Sequence, residues 1–176
     1  PVTVYVVVDT PDLAPNGTFT ISATVQGALA GDTCATATAI TSSGVINGTT
    51  VGYSNDYSNG VGCSGISSAD RVYMIDVPPG QRFTALVSPT ETTPFDPSIN
   101  LVLGPATACD AQPIECIDGD DSGGESTENV VRYDNRGAAA QRVFVLVDNY
   151  LSAVGTFALT TTLVAIPAAP PGDRCD

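Results

Sequence analysis

The sequence predicts an all-β fold, either a sandwich or a barrel. No stretch of the sequence carries a helical period, whereas turn-forming residues recur about every 8–12 positions. Apolar and polar residues alternate within several of the intervening segments; in residues 81–88, Phe83, Ala85 and Val87 share one face. A third observation is that the end of the domain occurs twice in the chain.

Eight segments have the length and composition of strands, and Gly, Pro and Asn residues separate them. Residues 143–147 are apolar on both sides, which predicts a central strand or one covered by a neighbouring domain. We expect turns at Asn47-Gly48 and at Pro78-Pro79-Gly80, the second a tight reversal between antiparallel strands. In chain order, the strand candidates are residues 37–40, 44–50, 72–77, 81–88, 97–103, 128–134, 142–148 and 155–163.

The duplication sets the domain organisation. Residues 4–25 align with residues 143–163, with one gap opposite Asn16, and share nine identities in 21 pairs. The offset is 139 residues at the start (143 − 4) and 141 at the following cysteine (175 − 34). Such a period is one ordinary domain and exceeds the ~20–50 residues of a solenoid unit. We therefore expect a piece of a tandem array, in which residues 1–30 are the last hairpin and linker of one repeat, 31–164 a complete repeat, and 165–176 a Pro-rich linker and the start of the next.

The first hairpin requires a neighbour, because an isolated two-stranded hairpin is marginal in water and its apolar edge favours aggregation. We expect inter-unit strands that either complete an upstream domain of the same polypeptide or are donated to another copy. Both arrangements predict a structural repeat of an extracellular filament or giant tandem-repeat surface protein, assembled head to tail from adjacent repeats or copies of itself. The alternative is an accessory carbohydrate- or protein-binding module, with a glycan as ligand. The inter-unit strand residues are Val4, Val6, Val8, Phe19 and Ile21.

Composition argues against several functional classes. Six basic residues stand against 19 acidic ones, giving a formal charge of −13, which disfavours binding to nucleic acid and to anionic membranes. The chain contains no His and no Lys, so Ser–His and Cys–His catalysis and Schiff-base chemistry have no residues to perform them. We therefore expect no enzyme activity and assign no catalytic residue. No run of 18 apolar residues is present, so we expect no membrane span.

The five cysteines predict a disulfide framework and hence an oxidising compartment. Cys175 is the counterpart of Cys34 in the next repeat, so we expect it to form an inter-repeat disulfide downstream. The other four cysteines allow three connectivities. The favoured one pairs Cys34 with Cys63 and Cys109 with Cys116, because the second pair closes a short loop.

An acidic loop is the best candidate for a metal site. Asp118, Asp120 and Asp121 lie close together among Gly and Ser residues, and Asp96 precedes a neighbouring strand candidate. Calcium binds six to eight oxygen ligands, which flexible loops of this composition supply. The alternative is that these aspartates cap turns through side-chain hydrogen bonds. We expect no other cofactor.

Two further features have both a structural and a functional interpretation. Asn16 and Asn47 each begin an Asn-Gly-Thr glycosylation sequon, and Asn-Gly is equally a hairpin signal. Tyr53 and Tyr57 occupy a loop rich in Gly, Ser and Asn, where they either contact a sugar or protein ligand or pack over a sheet edge.

Five segments in order resemble the bacterial pre-peptidase C-terminal domain family, over roughly residues 31–164 and again over 2–25. The resemblance implies a jelly-roll-like antiparallel β-sandwich of about eight strands. Such domains are non-catalytic accessory modules of secreted proteases and adhesins, which implies an extracellular or cell-surface location in bacteria. Some relatives hold calcium, and the family's acidic positions match Asp96, Asp120 and Asp121. The segments that carry the resemblance are residues 95–101, 118–124, 129–133, 143–148 and 155–159.

Overall fold

In this computed structural model, the described residues form nine strands in two sheets that pack face to face. The structure describes residues 3–9, 18–24, 27, 29–58, 60–90, 95–111, 113–124, 127–150 and 153–167. Two short 3-10 helices, Cys34–Thr36 and Ala106–Asp110, lie between the strands. Within the described ranges, no helix is both long and apolar enough to cross a bilayer. The strands are β1 Thr38–Ala39, β2 Gly44–Thr49, β3 Arg71–Val77, β4 Gln81–Pro89, β5 Pro97–Leu103, β6 Asp118–Asp120, β7 Asn129–Asp134, β8 Gln141–Asn149 and β9 Thr156–Ala165.

The sheets have the orders β1-β3-β8-β5-β6 and β2-β9-β4-β7. Strands pair antiparallel throughout except that β1 runs parallel to β3. From β3 onward, each connection except that from β5 to β6 carries the chain from one sheet to the other. The predicted all-β sandwich of about eight strands is therefore confirmed, and the ninth strand is the short β6, which lies in the predicted acidic loop.

Of two predicted turns, the first is present but joins strands of different sheets, and the second is absent. The turn at Pro78-Pro79-Gly80 does not close a hairpin, because β3 and β4 lie in different sheets and the turn crosses between them. Asn47-Gly48 is not a turn but lies inside β2, opposite Ala158 and Phe157 of β9. A glycine is required there because a Cβ on Gly48 would lie 2.5 Å from the Phe157 ring.

Two apolar cores flank the five-stranded sheet. The first lies between the sheets, where Phe83, Phe95 and Phe157 are fully buried. The second covers the outer face of the five-stranded sheet and includes four cysteine side chains. Strand β8 contributes to both, because its odd-numbered valines face the first core and Phe144 and Leu146 face the second. This arrangement confirms that residues 143–147 form a central strand.

The disulfides join Cys34 to Cys109 and Cys63 to Cys116, so the favoured local pairing is wrong. The connection between β5 and β6 packs in the second core against the segments that carry Cys34 and Cys63, which brings cysteines distant in sequence together. The bridged residues are 75 and 53 positions apart. On the chain-entropy account, each bridge contributes about 4 kcal/mol to stability.

The chain enters and leaves the sandwich at opposite poles. At the N-terminal pole, the Gly31 carbonyl accepts the N–H of Val72 at the start of β3, at 2.8 Å. At the C-terminal pole, beyond the end of β3, Ile166 donates its N–H to the Gly80 carbonyl at 2.9 Å. The seven residues of β3 separate the poles by roughly 23 Å.

Candidate functional site

Asp118 and Asp120, two of the predicted calcium ligands, point to the edge of the opposite sheet. The Asp118 carboxylate accepts the backbone N–H of Arg132 at 2.7 Å, and the Asp120 carboxylate accepts that of Val130 at 2.8 Å. Burial alone would raise the pKa of Asp120, but hydrogen bonds from Val130 and Ser122 lower it below its usual value. These carboxylates therefore close the exposed edge of β7.

The other two predicted ligands, Asp96 and Asp121, lie at the N-terminal pole. Burial, followed by the negative charges of Asp96, Asp120 and Asp148, raises the pKa of Asp121 to about 6. Within the described part of the chain, no group of three or more Asp, Glu or Cys side chains is arranged to hold a metal ion. Calcium binding by the four predicted residues stays a prediction.

A second pair of carboxylates, Asp70 and Asp148, is completely buried at the same pole. One oxygen of Asp70 accepts the N–H groups of Asp56 and Tyr57, at 2.7 and 3.1 Å. One oxygen of Asp148 accepts the N–H and the hydroxyl of Ser68, both at 2.9 Å. The remaining oxygens have no N–H or hydroxyl donor, and the two carboxyl groups lie against each other. One shared proton satisfies both.

The protonation of this pair follows from its surroundings. Burial, followed by the contact with Asp148, raises the pKa of Asp70 to about 9. Burial also raises the pKa of Asp148. Two adjacent buried carboxylates cannot both carry charge without strong repulsion. At neutral pH the pair therefore holds one proton and one negative charge.

Arg71 fixes the point where the chain enters the domain. Its guanidinium group donates to the Ala30 carbonyl and to the Tyr53 hydroxyl, and to the Thr38 hydroxyl at 3.1 Å. The same group stacks on the Tyr53 ring at 4.6 Å, a favourable cation–π distance. Gly31 has φ +83, and a Cβ there would lie 2.5 Å from the guanidinium group. The junction at residues 30–31 is thus held tightly against the sandwich.

A cavity of about 520 Å³ opens beside this junction. Its floor includes Gly48 and Phe157, and its rim carries hydroxyl, amide and guanidinium groups. The residues that line it include Asn47, Gly48, Tyr53, Arg71, Thr90 and Phe157. This cavity at the N-terminal pole is our candidate functional site, because it combines open space with a fixed and charged border.

The tyrosines considered as ligand contacts are engaged within the chain. Tyr57 is buried, and its hydroxyl oxygen accepts the backbone N–H of Cys34 at 2.8 Å. Burial raises the pKa of Tyr57 to about 12. Tyr53 stacks on Arg71 and donates its hydroxyl to the Ala30 carbonyl at 3.2 Å. For both tyrosines the packing interpretation is the one the structure supports.

The predicted inter-unit residues Val4, Val6, Val8, Phe19 and Ile21 are exposed, and the described residues 3–9 and 18–24 belong to none of the nine strands. Their counterparts in residues 143–163 belong to β8 and β9, which lie in different sheets. Residues 143–163 therefore contribute a central strand to each of the two sheets. The expectation that it is a hairpin is wrong for residues 143–163.

Of the three remaining predicted features, the structure describes only one. Asn47 is exposed on β2, where its side chain borders the cavity. Asn16 and Cys175 lie outside the described residues. The glycosylation of both sequons and the inter-repeat disulfide stay predictions.

Comparison with known proteins finds similarity among solved structures. No known protein family and no curated protein matches the sequence. A solved structure similar to this chain is the pre-peptidase C-terminal domain of a collagenase from Bacillus anthracis. It shares 13% identity over 72% of this chain and 94% of that domain, with a TM-score of 0.45. A likeness at this level does not transfer function to this chain.

Sequence reasoning missed Asp70, Asp148 and Arg71. A signal for Asp148 was present, because Asp9 is its identical counterpart in the duplicated segment. Nothing in the local sequence distinguishes Asp70 or Arg71 from surface residues, since their roles depend on contacts across the fold.

The disulfides themselves indicate an oxidising compartment.

Proposed function

We propose that this chain is a structural repeat of an extracellular tandem-repeat protein, in which consecutive sandwiches join head to tail in a filament or a long surface protein. The observation that carries the proposal is a contrast in burial between the two copies of one sequence. Val4, Val6 and Val8 are 80, 70 and 47% exposed. Their counterparts Val143, Val145 and Val147 are all 0% exposed in β8.

This contrast has a clear energetic meaning. Burying a valine side chain fully is worth about 1.5–3 kcal/mol, so three exposed valines forgo several kcal/mol. A preceding sandwich that takes residues 4–25 as its own last two strands recovers this energy. The proposal therefore places these residues in an upstream repeat.

The identities between the two copies fall at positions that the sandwich constrains. Asp9 matches Asp148, which is fully buried in the carboxyl pair. Gly17 matches Gly155, where a Cβ would lie 2.5 Å from the Phe95 ring. If residues 4–25 only had to be extended, nothing would require Asp9 and Gly17 to match a buried aspartate and a glycine whose Cβ would clash. The opposite positions of the chain's entrance and exit further support a linear array.

The accessory binding module is the less favoured function. It depends on accessible aromatic side chains, and Tyr53 and Tyr57 make internal contacts instead. Failure of the chain to bind a panel of glycans and collagen, at concentrations up to the millimolar range, would exclude that alternative. If one class of ligand retained the chain, and if a substitution that fills the cavity abolished this retention, the binding module would be favoured over the structural role.

The decisive experiment completes the missing upstream domain. A copy of residues 31–142 is fused in front of Val4, so that residues 4–25 follow it as β8 and β9 do in the described sandwich. We expect two folded sandwiches and slow hydrogen exchange at residues 4–8 and 19–24. Exchange in these segments as fast as in the unfused chain, with residues 31–165 still folded, would contradict the proposal.

A matched pair of variants sharpens the fusion experiment. Val6→Asp changes a position whose counterpart, Val145, is completely buried, whereas Thr24→Asp changes one whose counterpart, Thr162, is exposed. We expect Val6→Asp to unfold the first sandwich and Thr24→Asp to leave it folded. Equal effects of the two substitutions would show that residues 4–25 do not occupy the β8 and β9 positions.

A further inference from the structure

We propose that the N-terminal pole of each unit, with its cavity beside Arg71, docks onto the C-terminal pole of the unit before it. The inference rests on the proposed function and identifies the surfaces through which neighbouring repeats touch. The occupant of the cavity is a projecting tip at the C-terminal pole, formed by the turn at Pro78-Pro79-Gly80 and by residues 136–140.

The length of the linker places the two units in direct contact. In the alignment, Gly27 is the counterpart of Ala165, the last residue of β9. Four peptide steps then lead to Gly31, which reach at most about 14 Å when fully extended. The Ala30 carbonyl is bound by Arg71 and Tyr53, so the last step lies along the surface of the second unit. Little free chain remains to hold the two sandwiches apart.

The shape of the tip suits the cavity. Residues 78–80 and 136–140 are all exposed, and apart from Arg136 they are Pro, Gly and Ala. The N–H of Gly80 donates to the Asn135 carbonyl at 2.8 Å, which ties the two turns into one projection. A cavity of about 520 Å³ accommodates several residues of this size.

The charges of the two poles are complementary. At the C-terminal pole three arginines face two aspartates, which leaves one positive charge (3 − 2 = +1). Arg136 is the most accessible of these, with a side chain 70% exposed. At the N-terminal pole of the described chain, carboxylates outnumber Arg71, whose guanidinium group donates to neutral oxygens of Ala30, Tyr53 and Thr38. Complementary charges of this kind fix orientation and register at an interface. The N-terminal carboxylates that are exposed or half-buried are Asp32, Asp56, Asp96, Asp121 and Glu128.

The two-unit fusion tests the docking directly. In its first unit, Arg136→Glu reverses the charge of the tip, and Arg132→Glu makes the same change on β7, away from the pole. In its second unit, Thr90→Trp fills the cavity, and Thr162→Trp adds the same bulk on β9, away from the pole. NMR relaxation reports whether the two units tumble as one body.

We expect the parent fusion and both controls to tumble as one rigid body. Arg136→Glu and Thr90→Trp should each release the units, so that the rotational correlation time falls roughly twofold, toward that of one unit. If the two units of the parent fusion tumble independently while residues 4–25 are protected from hydrogen exchange, the docking is overturned and the proposed function stands. Rigid tumbling of both pole variants would also overturn it. Unprotected residues 4–25 would instead mean that the proposed function has failed.

Discussion

The Asp118 carboxylate, on β6 of one sheet, accepts the backbone N–H of Arg132, on β7 of the other, at 2.7 Å. Asp120 repeats the contact with Val130, two residues away, at 2.8 Å. The carboxylates of two alternate residues of β6 thus accept the N–H groups of two alternate residues of β7. These acceptors have the spacing that the backbone carbonyls of a paired strand would have. Because β7 pairs with β4 on its other side, these contacts protect an edge that would otherwise invite association with another chain.

Replacing Asp118 with alanine should open this edge. We expect Asp118→Ala to lower the free energy of unfolding by about 1–2 kcal/mol, since the hydrogen bonds from the N–H groups of Arg132 and Gly119 are lost. It should also promote concentration-dependent association, measured by sedimentation velocity. Asp118→Asn keeps one acceptor oxygen and should restore most of the stability and the monomeric state. Identical behaviour of the alanine and asparagine variants would contradict this role.

The Asp70–Asp148 pair should make stability decrease with rising pH. The pKa of Asp70 is about 9 in the folded protein against 3.8 for the unperturbed group. Between these values the folded state holds a proton that the unfolded state has lost, so stability is greatest at the acid end. It should fall by up to about 1.4 kcal/mol per pH unit and be lost as the pH passes through 9. Chemical denaturation between pH 6 and pH 10 measures this slope.

The Asp70→Asn variant shows whether the slope of stability against pH comes from this pair or from other titrating groups. An asparagine amide can donate to Asp148 permanently, in place of the shared proton, so the slope between pH 6 and pH 10 should become shallow. Asp76→Asn is the control, because Asp76 is exposed and its Arg142 partner lowers its pKa. Its contribution to stability is lost only in acid. An unchanged alkaline slope in Asp70→Asn would exclude the shared proton.

The disulfide pairing gives a third prediction. In Cys34→Ala, the newly freed thiol should belong to Cys109, whereas the pairing expected from sequence would free Cys63. Alkylation followed by peptide mass mapping identifies it. The variant lacking both Cys34 and Cys109 should lose about 4 kcal/mol of stability. Removing Cys63 and Cys116 together should have a similar effect, because their loop is of comparable length.

Strand positions were predictable because the first core imposes a two-residue period. Phe83, Ala85 and Val87 face that core and are completely buried, as their alternation indicated. Strand β6 was not predictable, because it consists of Asp118, Gly119 and Asp120 and buries no apolar side chain. Its pairing depends on contacts with β5 and β7 that only the folded sandwich provides.

Less of the candidate site than of the strands could be predicted from the sequence. The duplication of residues 4–25 could be found from the sequence, because it depends on sequence identity alone. The cavity and its border were not visible, because Gly48, Arg71 and Thr90 come from separate strands and loops. Acidic residues near one another in sequence suggested calcium, whereas the fold directs Asp118 and Asp120 toward β7.

Gly48→Ala tests the close packing beneath the cavity. A Cβ at this position would lie 2.5 Å from both the Phe157 ring and the Tyr73 hydroxyl, and both side chains are buried. Because neither can move freely, we expect a loss of about 1–3 kcal/mol in chemical denaturation. Gly137→Ala is the control, since its nearest contact would be 3.2 Å from the Asn135 side chain. The substitution at residue 48 also preserves the sequon at Asn47, so a change in stability cannot be ascribed to a lost glycan. Equal midpoints for the two variants would show that the β2–β9 pairing relaxes around the added methyl group.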